Sequence, residues 1–293
     1  MQLQIFTVDA FSDRPLEGNP AAVVPLTHDL DDETMLKIAN ELNLSETTFI
    51  HPLDDGHWTE SSRFSLRWFT PACEVPLCGH ATLATAHAIF DRLGEKHQEE
   101  IEFETLGGIL KVKRDGKMLV MDFPSNPPKV VDSEPDIFRK IVDACTADLK
   151  TRVKEICYTP KAKYILVRLD DSVTVDELKR MTPNFSEMAR LHDGSLVIAM
   201  GVTLSGDAQR GVPFRYHAYS RFFATWLGVN EDPVCGSWHS VMGPYWASQL
   251  GSKEFLFRQC SARGGDVRVS VLDKERVAIA GPAATVMTGY INI

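Results

Sequence analysis

The chain lacks any apolar run approaching the roughly 18 residues that a bilayer-spanning helix needs, so no membrane partner is expected. It also lacks clustered lysine and arginine, and its aromatics are not interleaved with basic residues. With a net charge of −9 and a pI of about 5.5, nucleic-acid binding is a poor expectation. Cys-X-X-Cys pairs are missing too. The six cysteines stand at 73, 78, 145, 157, 235 and 260, a spacing that argues against a structural zinc site. The stretch Met1 to Asp9 alternates like a strand, without the basic head and long apolar core of a secretion signal. A cytoplasmic location, reduced thiols and no metal are the expectations that follow.

What is present is a core-forming chain with an internal repeat. Its 293 residues are 44% hydrophobic, enough for one large or two medium cores. The run Val75-Pro76-Leu77-Cys78-Gly79-His80-Ala81-Thr82 returns in changed form 157 positions later (235 − 78) as Asp232-Pro233-Val234-Cys235-Gly236-Ser237. Each copy ends in Cys-Gly-polar and leads into an apolar stretch of helical length. A helix N-terminus offers free N–H groups and partial positive charge, so it attracts anions. Two such ends aimed at one cleft would hold a small carboxylate from both sides.

Strand patterns dominate the rest. Phe64 to Phe69, Gly108 to Lys113, Lys117 to Asp122 and Val267 to Val271 mostly alternate with period two. Lys163 to Leu169, Leu196 to Leu204 and Arg276 to Ala280 add further strands. Gly107-Gly108, Asp115-Gly116 and Gly264-Gly265 fall where hairpin turns belong. Three helices are expected. Asp31 to Leu42 begins with a capping aspartate. Ala81 to Leu93 is apolar on almost every face and should be buried all round. Ser237 to Leu250 contains Pro244, which should kink or break it. Helices buried on every side, among many short strands, imply strand layers wrapped around them. The proline-rich stretch Phe123 to Lys129 is the best boundary. The expected domains are residues 1–122 with 279–293, and 123–278.

Glu46 enters an apolar, β-branched strand, where a carboxylate tends to have a raised pKa and to exchange protons near neutrality. Its bland alternative is an exposed strand-edge acid. His80 stands at the first helix start, where the helix dipole should keep an imidazole neutral, or where it simply caps the turn. Gly79 lets a ligand approach the backbone. Asp232 precedes the second helix start and either meets the ligand or braces the loop; Glu231 beside it reads as solvated. Cys78 and Cys235 occupy matching helix starts. That position favours thiolates, so the two thiols are an acid–base pair or two small buried residues.

These motifs are recognisable. Val8-Asp9-Ala10-Phe11, Gly18-Asn19-Pro20-Ala21-Ala22-Val23, Asn43-Leu44-Ser45-Glu46-Thr47, Arg67-Trp68-Phe69-Thr70-Pro71, Cys78-Gly79-His80-Ala81-Thr82 and Glu231-Asp232-Pro233-Val234 occur in order. The chain resembles, nearly end to end, the PhzF family of phenazine-biosynthesis-like isomerases. The resemblance implies an α+β fold of two pseudo-symmetric domains, each a strand barrel around a central helix as in diaminopimelate epimerase. It implies a cofactor-independent isomerase that moves a proton on a carboxylate-bearing ring. Glu46 matches the family's proton-moving glutamate, and His80 and Asp232 match its polar partners. Gly79, Gly236 and Ser237 match groups that hold the substrate, and a homodimer is the implied assembly.

Three positions depart from the pattern. Cys235 stands where most members have Thr, Trp238 where Ala is common, and Thr225 where Pro is usual. Cys78 and Cys235 also match the two catalytic thiols of related epimerases and racemases, so a two-thiol racemase is the alternative. Those enzymes usually carry Asn where His80 stands. A binding protein that kept the fold and lost turnover is the third reading. Trp238 either narrows the pocket or points into the core.

Overall fold

The computed structural model describes residues 1–53, 57–94, 99–131, 136–210 and 213–293. The chain divides into two compact units, Met1–Asp122 with Ala278–Ile293, and Phe123–Val277.

In the first unit the strand Gln2–Ala10 lies between Ala283–Asn292 and Asn19–Pro25, antiparallel to both. The chain then crosses through helix Asp32–Leu42 to a parallel partner, Glu46–Pro52. Asp31 caps that helix by accepting from the Thr34 N–H at 2.8 Å, and Asn43 closes it in the left-handed region. Arg63–Phe69 follows antiparallel. A second crossover, through helix Gly79–Ala88, reaches the parallel strand Glu100–Thr105, and Gly108–Asp115 turns back against it.

The second unit repeats this order. Val153–Thr159 and Tyr164–Leu169 form the antiparallel pair, and a helical crossover leads to parallel Ala199–Ser205. Ala218–Phe223 follows antiparallel. The crossover through helix Gly236–Leu250 reaches parallel Glu254–Gln259, and Gly265–Val271 turns back. Both repeated Cys-Gly motifs therefore start the same crossover in two copies of one topology.

Each central helix is buried along most of its length. In Gly79–Ala88 the buried residues run from His80 through Ala86 without a break, and the helix packs against Gln2–Ala10, Asn19–Pro25, Glu46–Pro52 and Ala283–Asn292. It is shorter than expected: it starts two residues earlier and passes at Ile89 into a π-helical turn, Ile89–Leu93.

Pro244 does not break the second central helix, which runs unbroken over 15 residues. A proline there leaves the carbonyl of Ser240 without its i+4 donor. The Asn126 backbone N–H fills that place at 3.0 Å, and Asn126 Nδ2 donates to Ser240 Oγ at 2.9 Å. The proline-rich segment thus supplies the missing helix bond. Asn126→Ala is expected to cost about 0.5–1.5 kcal/mol, because it removes the amide donor to Ser240 Oγ and loosens the N–H donor. A denaturant midpoint equal to that of the parent chain would show that Asn126 does not brace the helix.

Most expected strands and hairpin turns are present within a residue or two. The reading of Leu196 to Leu204 starts too early, since the strand is Ala199–Ser205. The helices Asp136–Thr146, Val175–Arg180 and Phe185–Leu191 were not anticipated; through Phe138, Ile141, Leu178 and Met188 they share one apolar cluster with the strands of unit two. Among the described residues no helix is long and apolar enough to cross a membrane.

Candidate active site

The residues singled out in the sequence fall into two compact groups, one in each unit. In the first, Glu46 opens its strand opposite Ala21, and Cys78 is the N-cap of helix Gly79–Ala88. Cys78 is extended (φ −146°, ψ 114°) and makes no side-chain cap, so the first-turn N–H groups are not consumed by it. His80, 5% exposed, lies between the two: Nδ1 is 3.3 Å from Cys78 Sγ and Nε2 is 3.0 Å from Glu46 Oε2. Ser45 Oγ is 3.2 Å from the same Nε2. The Glu46 oxygen meets the ring at ion-pair distance but outside hydrogen-bond geometry, and it is buried.

These contacts reverse the expected charge states. Burial pushes Glu46 up, but His80, Ser45 and Cys78 outweigh it and hold the carboxyl below its ordinary range. Burial likewise pushes His80 down, yet Cys78 and Glu46 beside it hold the imidazole well above the ordinary histidine range. A local helix-dipole effect is worth about 0.3–1 kcal/mol at an exposed site, less than a carboxylate 3.0 Å away in a dry place. Both shifts favour the carboxylate form of Glu46 and the imidazolium form of His80. Burial, then Glu46, raises the Cys78 thiol despite its helix-start position.

The second group repeats the frame with different acids. Cys235 is the extended N-cap of helix Gly236–Leu250, again without a side-chain cap. Its Sγ lies 3.2 Å from Ser237 Oγ, and the Tyr164 hydroxyl lies 2.9 Å from that same oxygen. Burial and then Asp232 push the Cys235 thiol well above its ordinary range. Burial also raises the Tyr164 phenol, which stays a neutral hydroxyl. In unit one the acid comes from a neighbouring strand; in unit two it precedes the helix in its own loop.

Three residues that the sequence did not reveal hold that loop. Gln259, fully buried, accepts from the Cys235 N–H at 3.1 Å and donates to the Asp232 carbonyl at 2.6 Å. Ser261 Oγ donates to the Pro233 carbonyl at 2.7 Å. Arg221 pairs bidentately with Glu231 at 2.7 and 2.8 Å and donates to the carbonyls of Leu178, Lys179 and Met181. Glu231 is therefore anchored, not solvated, because a buried guanidinium requires a carboxylate partner.

Trp238 does not line a ligand surface. Its side chain is fully buried, donates from Nε1 to Ser220 Oγ at 3.1 Å and stacks on Phe222 at 5.4 Å. Gly201 receives it: a Cβ there would stand 2.3 Å from the indole. His239 is also structural. Nδ1 is 2.7 Å from the Cys235 carbonyl, and burial pushes the ring down to about 4.

Glu46, Cys78 and His80 also form a possible metal-donor set, with one donor atom of each within 4.8 Å of the others. The match to known proteins covers nearly the whole chain: residues 8–289 fit the model of the phenazine biosynthesis-like proteins. The chain belongs to that family. It is 42% identical to the human phenazine biosynthesis-like domain-containing protein over 100% of both chains. It is 37% identical to an uncharacterized isomerase of Halalkalibacterium halodurans, over 98% of this chain and 97% of the relative. A crystal structure of a PhzF-family protein from Enterococcus faecalis superposes with a TM-score of 0.84 at 33% identity, covering 100% of both chains. A hydroxyproline epimerase from Agrobacterium vitis shares the fold at 12% identity, with a TM-score of 0.56 over 99% of this chain and 91% of that one. The family and the paired topology give the epimerase-like α+β fold of two strand-wrapped helices.

Proposed function

We propose that this member of the isomerase family moves a proton on a small carboxylate-bearing metabolite, with Glu46 as the group that takes and returns it. The observation that carries the reading is the buried Glu46–His80 pair at 3.0 Å. It presents a carboxylate whose Oε2 is buried against His80, which leaves the other oxygen to accept the substrate proton. His80 holds that carboxylate and offsets its charge. Once protonated, Glu46 is the acid that returns the proton to a second carbon, while the imidazolium stabilises negative charge on the substrate. The uncapped N-termini at Gly79 and Gly236, with Ser237, suit the substrate carboxylate. Asp232 is assigned the polar contact from the second unit. The reading expects a cytoplasmic homodimer that uses no cofactor for the transfer. Incubating the protein with cyclic and amino-acid-like carboxylates in deuterated water, read by mass spectrometry, tests it. One class should gain solvent deuterium; a binder that kept the fold and lost turnover would give none.

A two-thiol racemase is the second reading, favoured by the matched N-cap positions of Cys78 and Cys235. Against it, both thiols are pushed up by burial and a neighbouring carboxylate, and a neutral thiol is a poor base. Cys78→Ser and Cys235→Ser are each expected to keep turnover within about tenfold, since general acid–base removal costs roughly 10²–10⁴-fold. Abolition of exchange by either serine variant would transfer the role to the thiols.

A further inference from the structure

We propose that the Cys78–His80 pair is a binding site for one thiophilic divalent cation, such as Zn²⁺ or Cd²⁺. The site lies within the first unit, and the geometry that supports it does not depend on the isomerase reading. Sγ and Nδ1 are 3.3 Å apart. A tetrahedral zinc, with bonds of about 2.3 Å to sulfur and 2.0–2.1 Å to nitrogen, separates such atoms by roughly 3.5 Å. The pair therefore needs to open only slightly.

A metal takes one nitrogen of an imidazole. Here the sulfur is on the Nδ1 side and the carboxylate on the Nε2 side. A cation on Nδ1 leaves Nε2–H directed at Glu46, the arrangement that orients metal-bound histidines generally. The Glu46 oxygen is buried and lacks a well-formed hydrogen bond, so it has a lone pair for that proton. The donor set of sulfur and imidazole, with a carboxylate at hand, suits zinc-like ions and disfavours magnesium and calcium. Binding requires the thiolate and a free Nδ1 lone pair, so it releases whatever protons those atoms carry. Cys235 offers no equivalent, since its neighbour is a serine hydroxyl and the His239 ring nitrogen is turned to a carbonyl.

The test is a titration of the chelator-treated full chain with Cd²⁺, following the thiolate-to-metal charge-transfer absorption. A Cys73→Ser background removes the exposed thiol. A saturable band of one equivalent is expected, unchanged by Cys235→Ser and absent in Cys78→Ser. Glu46→Gln, which keeps size and fold, should weaken binding about 10–100-fold, the usual effect of losing a partner behind a metal-bound histidine. A band that persists in Cys78→Ser, an affinity indifferent to both Glu46→Gln and His80→Gln, or no saturable band overturns the site. The titration reads binding alone, so its failure leaves the isomerase reading untouched.

Discussion

Glu46→Gln is expected to lower kcat by about 10²–10⁴-fold, the usual contribution of a positioned general acid or base, with a much smaller change in KM. The amide keeps the length of the side chain and a contact for His80 but cannot accept the proton. The interaction lost is made mainly in the transition state, so kcat and kcat/KM should fall together. His80 separates this from simple damage to the fold. Glutamine removes the carboxylate that, after Cys78, holds the imidazole above its ordinary range, so the His80 pKa should fall in the variant, visible by NMR titration. Undiminished kcat would falsify the assignment.

Trp238→Ala is expected to destabilise the chain by about 3–5 kcal/mol, the usual cost of deleting a buried tryptophan, while leaving the set of accepted ligands unchanged. The indole is 0% exposed, its Nε1–H is the donor to Ser220, and Gly201 leaves a space that only this side chain fills. Alanine opens a cavity and leaves a buried hydroxyl without its partner. A denaturant series reads the loss. A variant of nearly parental stability that accepts bulkier acids would return the indole to the ligand pocket, where its position next to Ser237 in the sequence also permits it.

How far the sequence reached depends on whether a signal was local. The Cys-Gly helix starts were legible because an N-cap and an all-apolar helix are written in consecutive residues. Strands such as Arg63–Phe69 and Gly108–Asp115 were legible through alternation. Charge states were not. Helix-start position alone favours a neutral His80 and reactive thiols, but the deciding carboxylate, Glu46, comes from a strand 34 positions earlier (80 − 46) and shares their burial. The same holds for Pro244, whose missing donor is replaced by Asn126, and for the loop at Asp232, fixed by Gln259 and Arg221 from separate strands. Trp238 was ambiguous because helix position alone does not say which way a side chain leaves the axis; Gly201 on a facing strand decides it. The unexpected helices Val175–Arg180 and Phe185–Leu191 are only 6 and 7 residues long, too short for an apolar period to stand out, although Thr174 with Glu177 and Asn184 cap them well.

The most direct test of the central claim is a comparison of solvent-deuterium gain by the responding carboxylate metabolite. It sets the parent chain beside Glu46→Gln and the double variant Cys78→Ser/Cys235→Ser. Proton transfer through Glu46 predicts that the double serine variant still labels the metabolite and that Glu46→Gln does not. Labelling by Glu46→Gln together with none by the serine variant would contradict it.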